Sequence, residues 1–219
     1  MRFEGFGVET VGGRRLVDGL SGEFCDPVRL LVVGVSGSGK SSLLGAIAGC
    51  SVHKVRGSVS INGVSGAGVV GGGARRVLMA VQEASEAFTA YRRILPQLEE
   101  SGGGEGLGAW RGRFSVACDL LGLDEGSAAR YPSEVSGGML KRLLLAGLSA
   151  WGPELLLLDE PTSGVDPVWR RAVWGLVSSY GGGIVVATHD LDAVRAIRGS
   201  RVLRLHGEGK WSIEPGGEG

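Results

Sequence analysis

Residues Gly34 to Ser41, GVSGSGKS, fit the pattern GxxxxGK[ST], and each part has a task in holding a polyphosphate. The loop Gly34, Val35, Ser36, Gly37, Ser38 and Gly39 carries the glycines that let backbone N–H groups wrap phosphate oxygens. Lys40 would neutralise the β and γ phosphates, and Ser41 would ligate Mg²⁺. Downstream, LLLLDE ends in Asp159 and Glu160. Two carboxylates at the carboxyl edge of a buried strand suit a water-mediated Mg²⁺ contact from Asp159 and a general base, Glu160, that orients an attacking water. Between these lies VSGGM, where Ser136, Gly137 and Gly138 open a helix. Its free N–H groups and hydroxyl make a second anion site, although such a start taken alone is most often a cap.

These residues need a framework to hold them. Phe3 to Val11 and Leu16 to Phe24 carry strand signals on either side of a turn at Gly12 and Gly13. The apolar run Leu30 to Val33 predicts a buried strand leading straight into the glycine loop, and SSLLGAIAG behind the loop has helical spacing. Gly57 to Gly63 alternates Val59 and Ile61 and ends in an Asn-Gly hairpin signal, Gly66 to Gly73 reads as a surface loop, and Val77 to Val81 as a strand. Helices are predicted around Tyr91 to Glu100 and from Arg113 to Leu121, with a flexible GGGEGLG between them. Further helices are predicted over Met139 to Trp151 and Val168 to Ser179. Buried strands are predicted at Leu155 to Leu158 and Ile184 to Thr188, and a closing hairpin around HGEG. Apolar strands alternating with helices imply an α/β fold whose mostly parallel sheet is covered on both faces.

The chain of 219 residues has 23 Lys plus Arg against 23 Asp plus Glu, so it offers no field for binding nucleic acid by charge. The doublets at Arg75, Arg92 and Arg170 read as solvated faces. The 41 glycines, about 19% against roughly 7% in average chains, sit beside 43% hydrophobic residues, so most of the chain must fold. Cys25, Cys50 and Cys118 lie far apart, as reduced thiols in a reducing compartment would. No apolar run approaches the roughly 18 residues that span a bilayer. The chain is expected to be soluble by itself, with any membrane role passing through a partner.

Taken in order, these motifs resemble those of the ATPase subunit of ABC transporters over nearly the whole chain. GVSGSGKS is similar to the Walker A loop, with Ser42 where Thr is common, and Gln82 in MAVQEA to the Q-loop glutamine. VSGGM stands where the family has LSGGQ, LLLLDE resembles Walker B, SGVD carries the D-loop Asp166, and ATHD the switch His189. The resemblance implies a P-loop NTPase fold with an N-terminal antiparallel β subdomain and a helical subdomain inserted at about 84–135, in a single domain over 1–219. It also implies ATP and Mg²⁺ bound between two facing subunits. Ser136 and Gly138 would then read the γ-phosphate in trans, Gln82 would sense Mg²⁺ and the membrane partner, and His189 would hold the γ-phosphate and the lytic water. Lys40, Glu160 and His189 would be the catalytic residues, and Ser41, Gln82 and Asp159 the metal site.

The family's adenine-stacking aromatic is missing at Val11, with Phe6 a candidate substitute. YPSEVSGGMLKR and VQEASEAFTAYRRI resemble the peptide and nickel importer branch, whose prolines are absent at Ala84 and Ala90. The expected function is ATP hydrolysis that powers substrate movement across a membrane, and the resemblance to that branch implies import of peptide or nickel-type cargo. Its partners would be membrane-spanning permease subunits, a second ATPase subunit and an extracellular solute-binding protein, and its place the cytoplasmic face of the membrane. The alternative is a non-transport relative acting on DNA or ribosomes, which the neutral charge and the short spacing from Gln82 to Ser136 disfavour. A small-molecule kinase would leave VSGGM unexplained.

Overall fold

The computed structural model describes residues 1–62, 64–66, 77–102, 106–190 and 192–216. Six elements come first: β1 (Arg2–Glu9), β2 (Arg15–Glu23), β3 (Arg29–Gly34), α1 (Lys40–Ala48), β4 (Lys54–Ile61) and β5 (Val64–Gly66). Then follow β6 (Val77–Ala80), α2 (Ile94–Glu100), α3 (Leu107–Leu120), α4 (Gly137–Trp151), β7 (Leu155–Asp159) and α5 (Pro167–Ser178). The described chain closes with β8 (Gly183–Ala187), α6 (Asp192–Ala196), β9 (Arg201–Gly207) and β10 (Lys210–Pro215).

The strands form two sheets. An antiparallel sheet has the order β2-β1-β4-β5, and a six-stranded sheet the order β10-β9-β3-β8-β7-β6. In the second, every neighbouring pair is parallel except β9 with β10. Its central strands are buried on both faces, and the period-two alternation of side chains divides them between two cores. Leu30, Val32, Leu155, Leu157 and Val185 join a core with α1 and the antiparallel sheet. Leu31, Leu156, Leu158, Ile184 and Val186 face the other way, onto α4 and α5. The expected mostly parallel sheet and antiparallel N-terminal sheet are both present.

The parallel register has one consequence for the site. β3, β8, β7 and β6 are consecutive neighbours, so their carboxyl ends form a row, and the segments that leave them come together at one edge.

Helices α2, α3 and α4 pack round an aromatic stack. The Trp110 ring lies 4.8 Å from Phe114 and 5.3 Å from Trp151, stacked on both and nearly parallel to the first. Trp110 Nε1 donates to Gly147 O at 2.9 Å and Trp151 Nε1 to Leu98 O at 2.8 Å, so neither indole is buried at the cost of an unmet donor. Trp174 is buried, and Trp169 carries the Arg142 guanidinium 4.8 Å above its ring.

Several boundaries differ from the sequence reading. α2 starts at Ile94, because Arg93 is extended and Pro96 belongs in a first turn, where its missing N–H costs nothing. α3 starts six residues before Arg113, at Leu107, since burial of Trp110 and Phe114 outweighs the low propensity of Gly108 and Gly112. β4 starts at Lys54 rather than Gly57, drawn in by pairing with β1 from Glu9↔Lys54 onward. The short helix α6 carries no sequence signal strong enough to predict it. Most of the Gly66 to Gly73 loop, Arg75 and Arg76, the middle of GGGEGLG and the last three residues lie outside the described residues. Among the described residues no helix is long and apolar enough to cross a membrane.

Candidate functional site

The glycine loop leaves β3 and turns into α1 through two left-handed residues, Gly37 at φ 73° and Gly39 at φ 103°. A side chain on Gly39 would be strained and would also meet Leu16 Cβ at 2.9 Å. A Cβ on Gly34 would fall 2.5 Å from Ser38 Oγ and 2.8 Å from Leu205 O, so this glycine is required by space. Lys40 folds back over the loop it ends, its Nζ donating to Gly34 O at 2.8 Å and Val35 O at 3.2 Å. That posture keeps the ammonium over the loop, where a polyphosphate would lie. Ser38 Oγ is buried with no partner among the described residues.

The loop borders a cleft of about 640 Å³. Sequence-predicted residues from Gly34 to Ser42, with Gln82, Asp159, Glu160 and His189, line it, Ser38 alone excepted. Asp159 and Glu160 end β7, and His189 follows β8, so the strand order β3-β8-β7 brings residues more than a hundred positions apart to one edge.

Glu160 is buried and has a positive φ of 46°, a conformation that a non-glycine residue adopts only when its surroundings impose it. Its N–H donates to Ala187 O at 2.8 Å, which ties the strained residue to the end of β8. Thr188 Oγ1 donates to Oε2 at 3.1 Å, and His189 Nδ1 lies 2.8 Å from Oε1. The carboxylate is thus oriented from both sides, and each oxygen keeps a lone pair for a water. The His189 side chain is 78% exposed, so the pair reaches from the buried carboxylate to the cleft surface.

Asp159 is also buried, and burial holds its carboxyl above the ordinary range, while the Ser41 hydroxyl works against that rise. Its Oδ1 has no partner among the described residues. An unmet buried carboxylate oxygen beside a serine hydroxyl, at the rim of a phosphate loop, fits a divalent cation. Among the described residues no group of three or more His, Cys, Asp or Glu could hold a metal ion alone.

Gln82 follows the end of β6 and is exposed at the cleft. Its backbone is held from α4: the buried Lys141 ammonium donates to Val81 O at 3.0 Å and to Gln82 O. Sequence reasoning missed Lys141, although its place four residues into a helix that begins at the SGG segment could have marked it. Burial lowers the Lys141 pKa, opposed by the negative charges of Glu83, Asp159 and Glu160.

Ser136, Gly137, Gly138 and Asp166 are not brought to this cleft. Ser136 caps α4, its Oγ accepting from Met139 N at 3.2 Å, and Asp166 caps α5, accepting from Val168 N at 2.9 Å. The two caps adjoin, since a Cβ on Gly138 would lie 2.9 Å from Gly164 O. Ser136 and Gly137 are exposed, leaving N–H groups at the α4 start open to a ligand from outside the chain.

Phe6 does not replace a stacking aromatic at Val11. It is fully buried in the core, 5.3 Å from the Phe3 ring, and Val11 is 79% exposed on the turn beyond the cleft. A register irregularity in β1 around Gly5, at φ 55°, brings Phe6 into the same core as Phe3, where a large apolar ring gains most. Thr10, Leu16 and His53 line the cleft on that side instead. His53 was not anticipated.

The ABC transporter family model matches residues 17–163. Relatives include the Fe(3+) ions import ATP-binding protein FbpC of Pseudomonas fluorescens, 31% identical over 201 residues, covering 83% of this chain and 52% of that protein. The oligopeptide transport ATP-binding protein OppD of Mycobacterium tuberculosis is 30% identical over 211 residues, covering 90% of this chain and 34% of that protein. The chain therefore spans about half the length of the first and a third of the second. The dimeric ATP-binding cassette MJ0796, in a post-hydrolysis state bound to ADP and Pi, superposes with a TM-score of 0.81 at 20% identity, covering 100% of this chain and 99% of that one. At that identity the likeness speaks for the fold.

Proposed function

This chain belongs to the ABC transporter family, and from that membership we propose that it binds and hydrolyses ATP as the motor subunit of an importer. The observation that carries the reading is the meeting of the Lys40 loop with Asp159, Glu160 and His189 at the adjoining ends of β3, β7 and β8.

In this reading the triphosphate lies along the loop from Gly34 to Ser42, held by backbone N–H groups and the start of α1. Lys40 exchanges its bonds to Gly34 O and Val35 O for β- and γ-phosphate oxygens, moving its charge to where negative charge builds in the transition state. Ser41, Asp159 and Gln82 would hold Mg²⁺, which when bound supplies positive charge to the phosphates. Glu160 orients the attacking water and accepts its proton as the water oxygen bonds to the γ-phosphorus and the bridging oxygen leaves with ADP. His189 fixes the Glu160 carboxylate and turns its exposed edge to the γ-phosphate.

The exposed start of α4 gives the reading its second half. Ser136, Gly137 and Gly138 lie outside their own cleft, so they serve the γ-phosphate of a second ATPase subunit, identical or sister, with Asp166 at the same junction. ATP then closes the pair and hydrolysis opens it, and the motion passes through Gln82 and the 84–135 segment to membrane-spanning permease subunits at the cytoplasmic face. Cargo of the peptide or nickel type, delivered by an extracellular solute-binding protein, is favoured by VSGGM and by the match to OppD along 90% of this chain.

The test of the pairing is the mass in solution of Glu160→Gln with and without Mg-ATP. A rise from 22.6 kDa to twice that on ATP is expected. An unchanged mass with ATP bound, both alone and with the neighbouring ATPase, would overturn it.

A further inference from the structure

The cleft has two unlike ends. Asp159, Glu160 and His189 belong to the parallel sheet, whereas Thr10, Leu16 and His53 belong to or adjoin the antiparallel sheet. His53 directly precedes β4, whose first residue pairs with Glu9, and it lines the cleft together with Thr10. Its Nε2 is 3.1 Å from Ser42 Oγ, a bond that crosses from the antiparallel sheet to the first turn of α1. Its Nδ1 is buried without a partner among the described residues, and its backbone N–H donates to Ser51 Oγ at 3.1 Å. One ring nitrogen is thus engaged and the other shielded, and the residue lines the cleft.

Among the described residues no Phe, Tyr or Trp lines the cleft. Its aromatic rings among the described residues are those of His53 and His189, and the second is engaged with Glu160 at the hydrolytic end. We propose that the ring of His53 is the platform on which the base of the bound nucleotide packs, held at its angle by Ser42. The inference rests on the ATP reading of this cleft. A triphosphate whose γ end faces Glu160 runs back along the loop past Ser42, which places the nucleoside against the antiparallel sheet. Leu16, already packed on Gly39, supplies the apolar neighbour. The hydrogen bond does two things at once: it fixes the ring and keeps the Ser42 hydroxyl beside the phosphate run.

Inorganic tripolyphosphate has the phosphates and lacks the base, so it separates the two contributions. Binding of ATP and of tripolyphosphate is measured by titration calorimetry for the wild type, His53→Ala, His53→Phe and Lys40→Ala. His53→Ala is expected to weaken ATP about tenfold, in the range of base stacking, and to leave tripolyphosphate unchanged. His53→Phe is expected to bind ATP within about twofold of the wild type, because it restores a flat face. Equal loss of both ligands in His53→Ala would overturn the platform and leave His53 as a support for Ser42 only. No loss of either would overturn it as well. Lys40→Ala is the control for the site itself: if it left both ligands bound as before, the ATP reading would fail rather than the role of His53. Retained tripolyphosphate binding in His53→Ala also shows that the variant is folded.

Discussion

His189 Nδ1 stands 2.8 Å from Glu160 Oε1, a pair formed across the ends of two adjacent parallel strands. The imidazole orients a carboxylate that the backbone already strains into position. His189→Ala is therefore expected to lower the rate of ATP turnover about 100-fold, the low end of what positioned acid–base groups contribute. Nucleotide affinity should change little, because the phosphate loop is untouched. Parallel loss of affinity and turnover, measured by titration and phosphate release, would show that His189 acts in binding instead.

Lys40 holds two loop carbonyls that water can satisfy once it is gone, since the residue is only half-buried. Lys40→Ala should leave the thermal midpoint within a few degrees of the wild type and weaken ATP binding by about 100-fold, the loss of two charge-assisted hydrogen bonds. A thermal scan and a nucleotide titration on the same sample check both halves.

Asp159 is a buried charge awaiting a partner. Burial raises its pKa above the ordinary 3.8, and the Ser41 hydroxyl only partly offsets the rise. An acid whose folded pKa is raised disfavours folding as pH climbs from its ordinary value through the raised one, so the ligand-free protein gains stability as pH falls through that window. Asp159→Asn should raise the midpoint by about 2–4 °C at neutral pH, roughly 1 kcal/mol for a chain of this size, and flatten the change on mild acidification. It should also abolish Mg²⁺-dependent turnover. Calorimetry at several pH values, beside a Mg²⁺ titration of activity, reads both.

Trp110 lies in the helical stack, far along the chain from the loop and absent from the cleft lining. Trp110→Ala is expected to cost about 3–5 kcal/mol through the cavity and the freed Gly147 carbonyl. Urea unfolding measures this, and ATP affinity below the transition should stay within about twofold of the wild type.

The parts of this molecule that were legible in its sequence are those whose signal is local. The buried strand before Gly34, the helix after Lys40 and the carboxylates after Leu158 are each written within a dozen residues, and the structure holds them as read. What escaped depends on strand order. The Glu160–His189 pair exists because β7 and β8 are neighbours, and His53 reaches the cleft because Lys54 pairs with Glu9 across 45 positions of chain, counted from the pairing of residues 9 and 54. Phe6 shows the reverse error. A flanking aromatic looked available to a ligand, yet the irregular register of β1 turns it into the core beside Phe3. Lys141 went unnoticed because only the packing of α4 against the end of β6 buries it against the Gln82 backbone. Composition, charge and local periodicity carry none of these long-range pairings.

The most direct test of the account is phosphate release from Mg-ATP by the wild type and by Glu160→Gln, with bound ATP measured in the same samples. Gln keeps the size of the side chain and one of its two acceptor oxygens, and removes its basicity. The account predicts equal occupancy by ATP and a rate at least about 100-fold lower in the variant. Equal rates at equal occupancy would contradict it, since the carboxylate at the end of β7 would then have no part in activating water.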